Sequence, residues 1–279
     1  MNESIVRALS GIVYIALLLG ATLYSPISFM ALFGIFMLIA ITEFCRLVDL
    51  KYIVPIIIGT AFFGLFVFII PNNSFSGNLM PSLGSVLISI LLLEDLFSTR
   101  PSAQKNEIVK YAQLIGYVIL PFILIIKLSI FSLHNSGHHI GEIYAPIIVI
   151  GSFIIIWTND TFAYIVGKAI GKHKLFERIS PKKTIEGFLG GMVFAIAAGY
   201  ILSIYFDVLS PIHWMASAVI LVIFGTLGDL VESKFKRAAG VKDSGNIMPG
   251  HGGILDRLDS IIFAIPFLFL YYQIIHYVS

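Results

Sequence analysis

The chain has 279 residues, of which 58% are hydrophobic and only 12% are charged. A water-soluble domain carries roughly 25% charged residues, so the composition excludes a soluble globular protein and makes lipid the solvent for most of the surface. The net charge of +2 is too small to indicate a nucleic-acid partner. The single cysteine, Cys45, excludes a disulfide framework.

Nine apolar stretches follow one another along the chain, and a helix needs about 20 such residues to cross the hydrocarbon layer. Their continuous apolar character predicts helices, because the strands of a membrane barrel alternate in polarity. The predicted fold is an all-α integral membrane protein, a polytopic bundle of about nine transmembrane helices. We divide the chain into residues 1–143, with about five spans, and residues 144–279, which hold the chemistry. The spans cover residues 4–24, 26–46, 52–70, 82–98, 108–131, 144–167, 186–206, 212–233 and 257–277.

The basic residues predict the orientation of these spans. Apart from Lys127, every lysine and arginine lies at the N-terminal end or in an even-numbered connection. The positive-inside rule makes that side cytoplasmic, so we expect a cytoplasmic N-terminus and, after nine crossings, a C-terminus outside. His138 and His139, in an outer connection, are potential metal ligands, although a solvated turn is the simpler interpretation.

Carboxylates recur at helical spacing where the eighth span ends and the ninth begins. Residues three, four and seven apart lie on one face of a helix. Acids beside lipid are costly unless a partner neutralises them, and Mg²⁺ binds a few carboxylates together with substrate phosphates and water. The pattern predicts a magnesium site. Its ligands are Asp229, Glu232, Asp256 and Asp259, with Ser233 and Lys236 on the same face as the first pair.

The connection between these acids suits phosphate. Gly252 and Gly253 follow His251, and glycines let backbone N–H groups approach an anion closely. The connection also contains Asp243 and leads into a helix N-terminus, which favours anions. Cationic side chains there would hold a triphosphate. They are Lys236, Arg237, Lys242 and Arg257.

A second group of polar residues precedes the seventh span. Asp160 is a lone acid in an apolar run, and such a carboxylate is functional by default. Lys182 and Lys183 are predicted phosphate or headgroup ligands. For Ser180, Thr184 and Glu186, a helix-capping role and direct substrate contact remain equally open.

These motifs resemble a known family. The stretch from Ser233 to Asp259 is similar to the signature of the bacterial phosphatidate cytidylyltransferases, the CDP-diacylglycerol synthases. Met248 stands where that family usually has Leu, Ile or Phe. The resemblance is sharp over residues 157–259. The matching segments are Ser233-x-Phe-Lys-Arg-x4-Lys-Asp-x-Gly-x2-Met-Pro-x-His-Gly-Gly-Ile-x-Asp-Arg-Leu-Asp, Trp157-x2-Asp-Thr-x-Ala-Tyr and Ser180-Pro-Lys-Lys-Thr-x-Glu-Gly.

The resemblance implies a definite reaction. CTP and phosphatidic acid would give CDP-diacylglycerol and pyrophosphate, with Mg²⁺ required and K⁺ as a second cation. It also implies a homodimer in the bacterial inner membrane. Under this hypothesis the catalytic residues are Asp229, Asp256, Asp259, Lys236, Arg237 and His251, the last orienting phosphate. The substrate-binding residues are Asp160, Lys182, Lys183, Ser233, Lys242, Asp243, Gly252, Gly253 and Arg257.

Two alternatives belong to other classes. A CTP-dependent polyprenol or lipid kinase would transfer the γ-phosphate to an alcohol and release CDP. A secondary transporter would place its charged residues near the bilayer midplane at broken helices. Here the charged residues cluster at one face, which disfavours a transporter.

Overall fold

The computed structural model describes residues 3–71, 74–98, 106–130 and 144–278. Within those ranges the chain forms nine helices and a two-stranded antiparallel hairpin that connects α6 to α7. The elements are α1 (Glu3–Tyr24), α2 (Pro26–Leu47), α3 (Ile53–Ile69), α4 (Phe75–Phe97), α5 (Glu107–Ile130), α6 (Pro146–Ile170), β1 (Lys174–Phe176), β2 (Ser180–Thr184), α7 (Ile185–Tyr205), α8 (Pro211–Ala238) and α9 (Leu255–Val278).

Eight of these helices are long and apolar enough to cross a membrane, and α3 is a shorter apolar helix. The prediction of an all-α polytopic membrane protein is therefore confirmed. The orientation and the division at residue 143 remain predictions, and His138 and His139 lie outside the described residues.

Local signals set where several helices begin. Ser25 forms a capping box with Ser28 at the start of α2, and the Thr184 hydroxyl accepts a hydrogen bond from the Gly187 N–H at the start of α7. Helix α4 begins at Phe75, seven residues before the predicted span, so Pro81 lies inside the helix. Apolarity alone missed this polar first turn.

The four C-terminal helices form the best-packed part of the fold, with α6 against α7 and α8 against both α7 and α9. Helix α9 also contacts α4 and α5, so one hydrophobic core joins the two halves of the chain. Helix α5 is almost entirely buried, whereas α1 lies at the periphery with most of its surface exposed.

Close packing of α6 on α7 depends on glycine. A Cβ at Gly187 would lie 2.7 Å from the Ala163 carbonyl oxygen, and one at Gly191 would lie 2.8 Å from the Asn159 carbonyl oxygen. The absence of side chains there lets the backbones approach. The contact places Asp160 of α6 next to the hairpin side of the bundle, where the polar residues gather.

Candidate active site

The C-terminal turns of α8 and the start of α9 approach each other closely. A Cβ at Gly228 would lie 2.5 Å from the Phe263 Cβ and 2.7 Å from the Asp259 carbonyl oxygen, so only glycine fits this crossing. Asp229, the next residue, accepts a hydrogen bond from the Ser233 hydroxyl at 3.2 Å. The whole of Asp229–Lys236 is helical, as the spacing of its polar residues predicted.

Lys236 joins the acids of the two helices. Its Nζ lies 2.7 Å from Asp256 Oδ1 and also donates to Glu232 Oε2. Glu232 is fully buried, and its Oε1 has no hydrogen-bond partner among the described residues. A second ammonium, that of Lys183 in β2, pairs with Asp229. Three of the four predicted metal ligands, Asp229, Glu232 and Asp256, are therefore paired with lysines from α8 and from the hairpin.

Residues 239–254, which we term the signature loop, are folded around Asp256. Asp256 Oδ2 accepts hydrogen bonds from the Ser244 N–H and the Ser244 hydroxyl, both at 2.8 Å, and from the Gly253 N–H at 2.7 Å. The Gly252 N–H bonds to the Met248 carbonyl. Gly252 has a φ of +88°, a conformation that glycine adopts without strain. The N–H groups of Gly252 and Gly253, predicted to face phosphate, are thus bonded to Met248 and Asp256 here, and their contact with substrate remains a prediction.

Glu43 of α2 holds the same loop from the other side. It is 3% exposed, and its carboxylate accepts hydrogen bonds from the Leu255 N–H at 2.8 Å and the Ile254 N–H at 3.1 Å. A Cβ at Gly245 or Gly253 would lie 2.4 Å from Glu43 Oε1. The sequence indicates a structural role for Glu43, with Arg46 as a candidate partner, and the structure pairs it with the loop instead.

A cavity of about 550 Å³, which we term the polar cavity, opens between α6, the hairpin, α7, α8 and α9. Acids and bases predicted from separate parts of the sequence line its wall together. They are Asp160, Lys182, Lys183, Asp229, Lys236, Asp243, Asp256, Arg257 and Asp259. Such a mixture of carboxylates and cations can bind an anion and a cation side by side.

A second cavity of about 330 Å³, the α1 cavity, lies beside it and is lined by Tyr14, Trp157 and His251 among others. The two cavities share a wall of five residues, so a molecule in one is separated from the other by single side chains. The shared residues are Asp160, Asp256, Arg257, Asp259 and Ser260.

His251 faces the α1 cavity. Its Nδ1 lies 2.7 Å from the hydroxyl oxygen of Ser10 in α1. The same hydroxyl oxygen lies 3.0 Å from the Pro249 carbonyl oxygen. Burial, followed by the nearby positive charges of Arg257 and Arg7, lowers the pKa of His251. The imidazole is therefore neutral near pH 7. Ser10 is a further residue that sequence analysis did not single out, because an isolated serine carries no signal.

The remaining predicted residues lie at the edge of this region. Arg237 is exposed and donates to the Val241 carbonyl at 3.2 Å, where it closes the end of α8. Lys242 is exposed in the signature loop. Glu186 accepts hydrogen bonds from the N–H groups of Lys172 and His173, which ties the start of α7 to the connection after α6.

Comparison with known proteins identifies the family. The model of the cytidylyltransferase family matches residues 5–275, nearly the whole chain. The chain belongs to the cytidylyltransferase family. Relatives within it include the phosphatidate cytidylyltransferases of Staphylococcus saprophyticus and Staphylococcus aureus, 33% and 34% identical over 267 residues that cover 94% of this chain and 96% of each relative. That of Staphylococcus epidermidis is 52% identical over 122 residues, 43% of this chain and 46% of the relative.

The polar cavity of this cytidylyltransferase family member offers oxygen ligands of the kind that Mg²⁺ prefers. In the described part of the chain no three acidic, histidine or cysteine side chains are gathered closely enough to enclose a metal by themselves. Mg²⁺ does not need such a cage, because it binds one or two carboxylates and takes its other ligands from substrate phosphates and water. Asp229, Asp256 and Asp259 line the cavity, and one or two of them would meet that requirement.

Proposed function

We propose that the chain is a CTP:phosphatidate cytidylyltransferase. It transfers CMP from CTP to phosphatidic acid and yields CDP-diacylglycerol and pyrophosphate, a step of phospholipid biosynthesis. The family match over residues 5–275 supports the reaction class. The observation that carries the proposal is that carboxylates and cations from α6, the hairpin, α8 and α9 line one cavity.

The chemistry requires two anions to meet. An oxygen of the lipid phosphate bonds to the α-phosphorus of CTP, and the bond from that phosphorus to the β-phosphate bridging oxygen breaks. Pyrophosphate leaves with the electron pair. A phosphate monoester is largely a dianion near pH 7, so the nucleophile needs no general base. Lys182, Lys183 and Arg257 line the cavity and provide the positive charge that offsets the repulsion.

Asp229, Asp256 and Asp259 are the proposed Mg²⁺ ligands, with Glu232 behind them. K⁺ is proposed as a second cation. Bound Mg²⁺ supplies charge neutralisation at the phosphoryl oxygens and at the departing pyrophosphate. Lys236 keeps Asp256 and Glu232 in position on either side of its ammonium. Ser233 orients Asp229 through the hydrogen bond to Oδ1.

The two cavities suggest how the substrates are arranged. The polar cavity carries the lysines and suits the triphosphate, whereas the α1 cavity is lined by Tyr14, Phe153 and Trp157 and suits the lipid. Helix α1 is loosely packed, so acyl chains can enter beside it from the bilayer. The phosphates then meet at the shared wall, where Asp256 and Asp259 lie.

The membrane orientation and the oligomeric state are part of the same proposal. The active site faces the cytoplasm of a bacterial inner membrane, because the basic connections flank it. A homodimer is proposed on the family resemblance alone. Light scattering of the purified protein in detergent tests the dimer, and accessibility of a cysteine introduced at Lys242 in intact cells tests the orientation.

Labelled CTP separates the transferase from the kinase. Purified protein is incubated with phosphatidic acid and CTP carrying ³²P at either the α or the γ position, with and without Mg²⁺. The transferase places the α label in lipid and the γ label in pyrophosphate. The kinase would place the γ label in lipid and release CDP, and that result would overturn the proposal.

The metal assignment needs a matched pair of variants. Asp256→Asn removes a carboxylate from the shared wall, and Asp207→Asn neutralises an exposed acid on the turn between α7 and α8. We expect Asp256→Asn to lower incorporation at least about 100-fold, as for loss of a main electrostatic contact to the transition state, and Asp207→Asn to leave it unchanged. Equal activity of the two variants would contradict the role of Asp256.

A further inference from the structure

A third cavity, of about 380 Å³, lies behind the active site and shares no lining residue with the other two cavities. We term it the rear cavity. It opens between the end of α2, the end of α4, the start of α5 and the last turns of α8. The side chains there are not used by the proposed reaction.

The rear cavity contains cationic groups with free hydrogen-bonding capacity. Arg46 is exposed and has no ion-pair or hydrogen-bond partner among the residues that the structure describes. Lys110 donates to the Asp49 carbonyl oxygen at 3.1 Å, which leaves two of its ammonium hydrogens for a ligand. Lys234 is tied to Asp95, with Nζ 3.0 Å from Oδ2. Two cations on different helices therefore point to an anion with several oxygens.

Gln113 is an independent sign of a ligand. It lines the rear cavity and is 6% exposed, yet its Oε1 has no hydrogen-bond partner among the described residues. A buried amide with unmet hydrogen bonds costs about 1–3 kcal/mol unless a bound molecule satisfies it. Asp49 also lines the cavity. The amide oxygen and the carboxylate both accept, so the anion should carry hydroxyl groups as well.

The opposite wall of the cavity is apolar and belongs largely to α8. Val231, Phe235 and Ala238 lie three and four residues apart, on the face of α8 that turns away from Asp229. Phe235 packs against Phe44, with ring centroids 5.2 Å apart. An occupant would therefore contact the back of the helix that carries the catalytic residues.

We propose that the rear cavity is a binding site for a phosphate ester that bears hydroxyl groups. The phosphate pairs with Arg46 and Lys110, the hydroxyls donate to Gln113 and Asp49, and an apolar part lies on α8. Either a polyol-bearing phospholipid headgroup or a free polyol phosphate supplies this chemistry. The site is separate from the catalytic cavity, so it does not depend on the proposed function.

Binding is measured with three probes on the purified, full-length protein in a neutral detergent. The probes are dioctanoyl phosphatidylglycerol, glycerol 3-phosphate and dioctanoyl phosphatidylcholine. Native mass spectrometry and thermal unfolding detect their binding. A ligand that binds the folded protein raises its Tm by mass action. We expect phosphatidylglycerol or glycerol 3-phosphate to bind and phosphatidylcholine, which lacks headgroup hydroxyls, to bind at least about tenfold more weakly.

The first two probes distinguish the sources. If phosphatidylglycerol binds and glycerol 3-phosphate neither binds nor competes, the apolar wall is essential and the ligand is a lipid. If glycerol 3-phosphate binds as well, the site recognises the free phosphate ester. Equal binding of all three probes, or of none, would overturn the proposal.

Variants locate the binding to this cavity. Arg46→Gln combined with Lys110→Gln should weaken binding at least about tenfold, as for the loss of two charge-assisted contacts. Lys51→Gln removes a charge from the connection between α2 and α3, outside the cavity, and should leave binding unchanged. Gln113→Leu keeps the side-chain volume and removes the unpaired amide, so it should weaken binding without lowering the Tm of the free protein. Unchanged affinity in both cavity variants, or equal loss in Lys51→Gln, would refute the assignment.

Discussion

Replacement of Glu43 by glutamine tests whether α2 holds the signature loop. The carboxylate accepts from the Ile254 N–H on one oxygen and from the Leu255 N–H on the other, whereas the single Ser244 hydroxyl hydrogen is donated to Asp256. In the Glu43→Gln variant one of these oxygens becomes an NH₂ group that faces an N–H donor. At least one backbone N–H then loses its partner in a buried position.

The magnitude follows from those contacts. An unpaired buried N–H costs about 1–3 kcal/mol, and weakening the other bond from charged to neutral costs about 1 kcal/mol more. We expect a loss of about 2–4 kcal/mol in the free energy of unfolding, by the sum of these two costs. For a chain of this size that corresponds to a fall in Tm of roughly 5–15 °C. Activity should fall as well, because the same loop donates three hydrogen bonds to Asp256.

The assay is fluorescence-monitored unfolding in detergent, followed by CMP transfer below the Tm. Glu94→Gln is the matched control, because Glu94 is an exposed acid near the end of α4. Exposed substitutions of this kind change stability by less than about 0.5 kcal/mol. If Glu43→Gln and Glu94→Gln unfold at the same temperature, the Glu43 carboxylate does not hold the loop.

Three further predictions concern other parts of the site. Gly228→Ala should lower the free energy of unfolding by about 1–3 kcal/mol through overpacking and abolish most activity, because the added Cβ would lie 2.5 Å from Phe263. Gly225→Ala should be tolerated, because its added Cβ would lie 3.4 Å from the nearest atom. Equal Tm values for the two variants would contradict this packing. The lowered pKa of His251 means that the folded chain binds fewer protons than the unfolded chain just below pH 6.5. Stability should therefore fall on acidification through that window by up to about 1.4 kcal/mol per pH unit, and His251→Gln should remove that part of the slope in pH-dependent melting. Arg178→Gln should speed hydrogen exchange in the hairpin, because the guanidinium donates to two carbonyls at the end of α4 at 2.9 Å; unchanged exchange would show that the hairpin needs no such anchor.

The sequence predicted the helices well because membrane crossing imposes a length and an apolar composition that few other structures share. Several of the predicted residues do line the polar cavity, since residues three apart on a helix share a face and Asp229 and Asp256 lie at facing helix ends, whereas Arg237 and Lys242 do not line it. The hairpin was missed, because Ser180–Thr184 has no alternating apolar pattern and is held by pairing with β1.

Contacts between distant parts of the chain could not be predicted. Glu43 lies 212 residues before Leu255, and no periodicity connects them. The hydrogen bond between Ser10 and His251 spans 241 residues in the same way. The π-helical turn at Leu114–Ile119 also has no signature of its own; it forms where the Gly116 carbonyl accepts from Ser85 in α4 at 2.5 Å.

Two N-terminal helices hold the signature loop, and this limits how it can be transplanted. Ser10 bonds to the loop at Pro249, and Glu43 bonds to it at Ile254. A chimaera that grafts residues 144–279 onto a foreign set of N-terminal helices would keep every motif residue and still leave the loop without its supports. Recombination between relatives should therefore yield working enzymes only when α1 and α2 are inherited from the same parent as the loop.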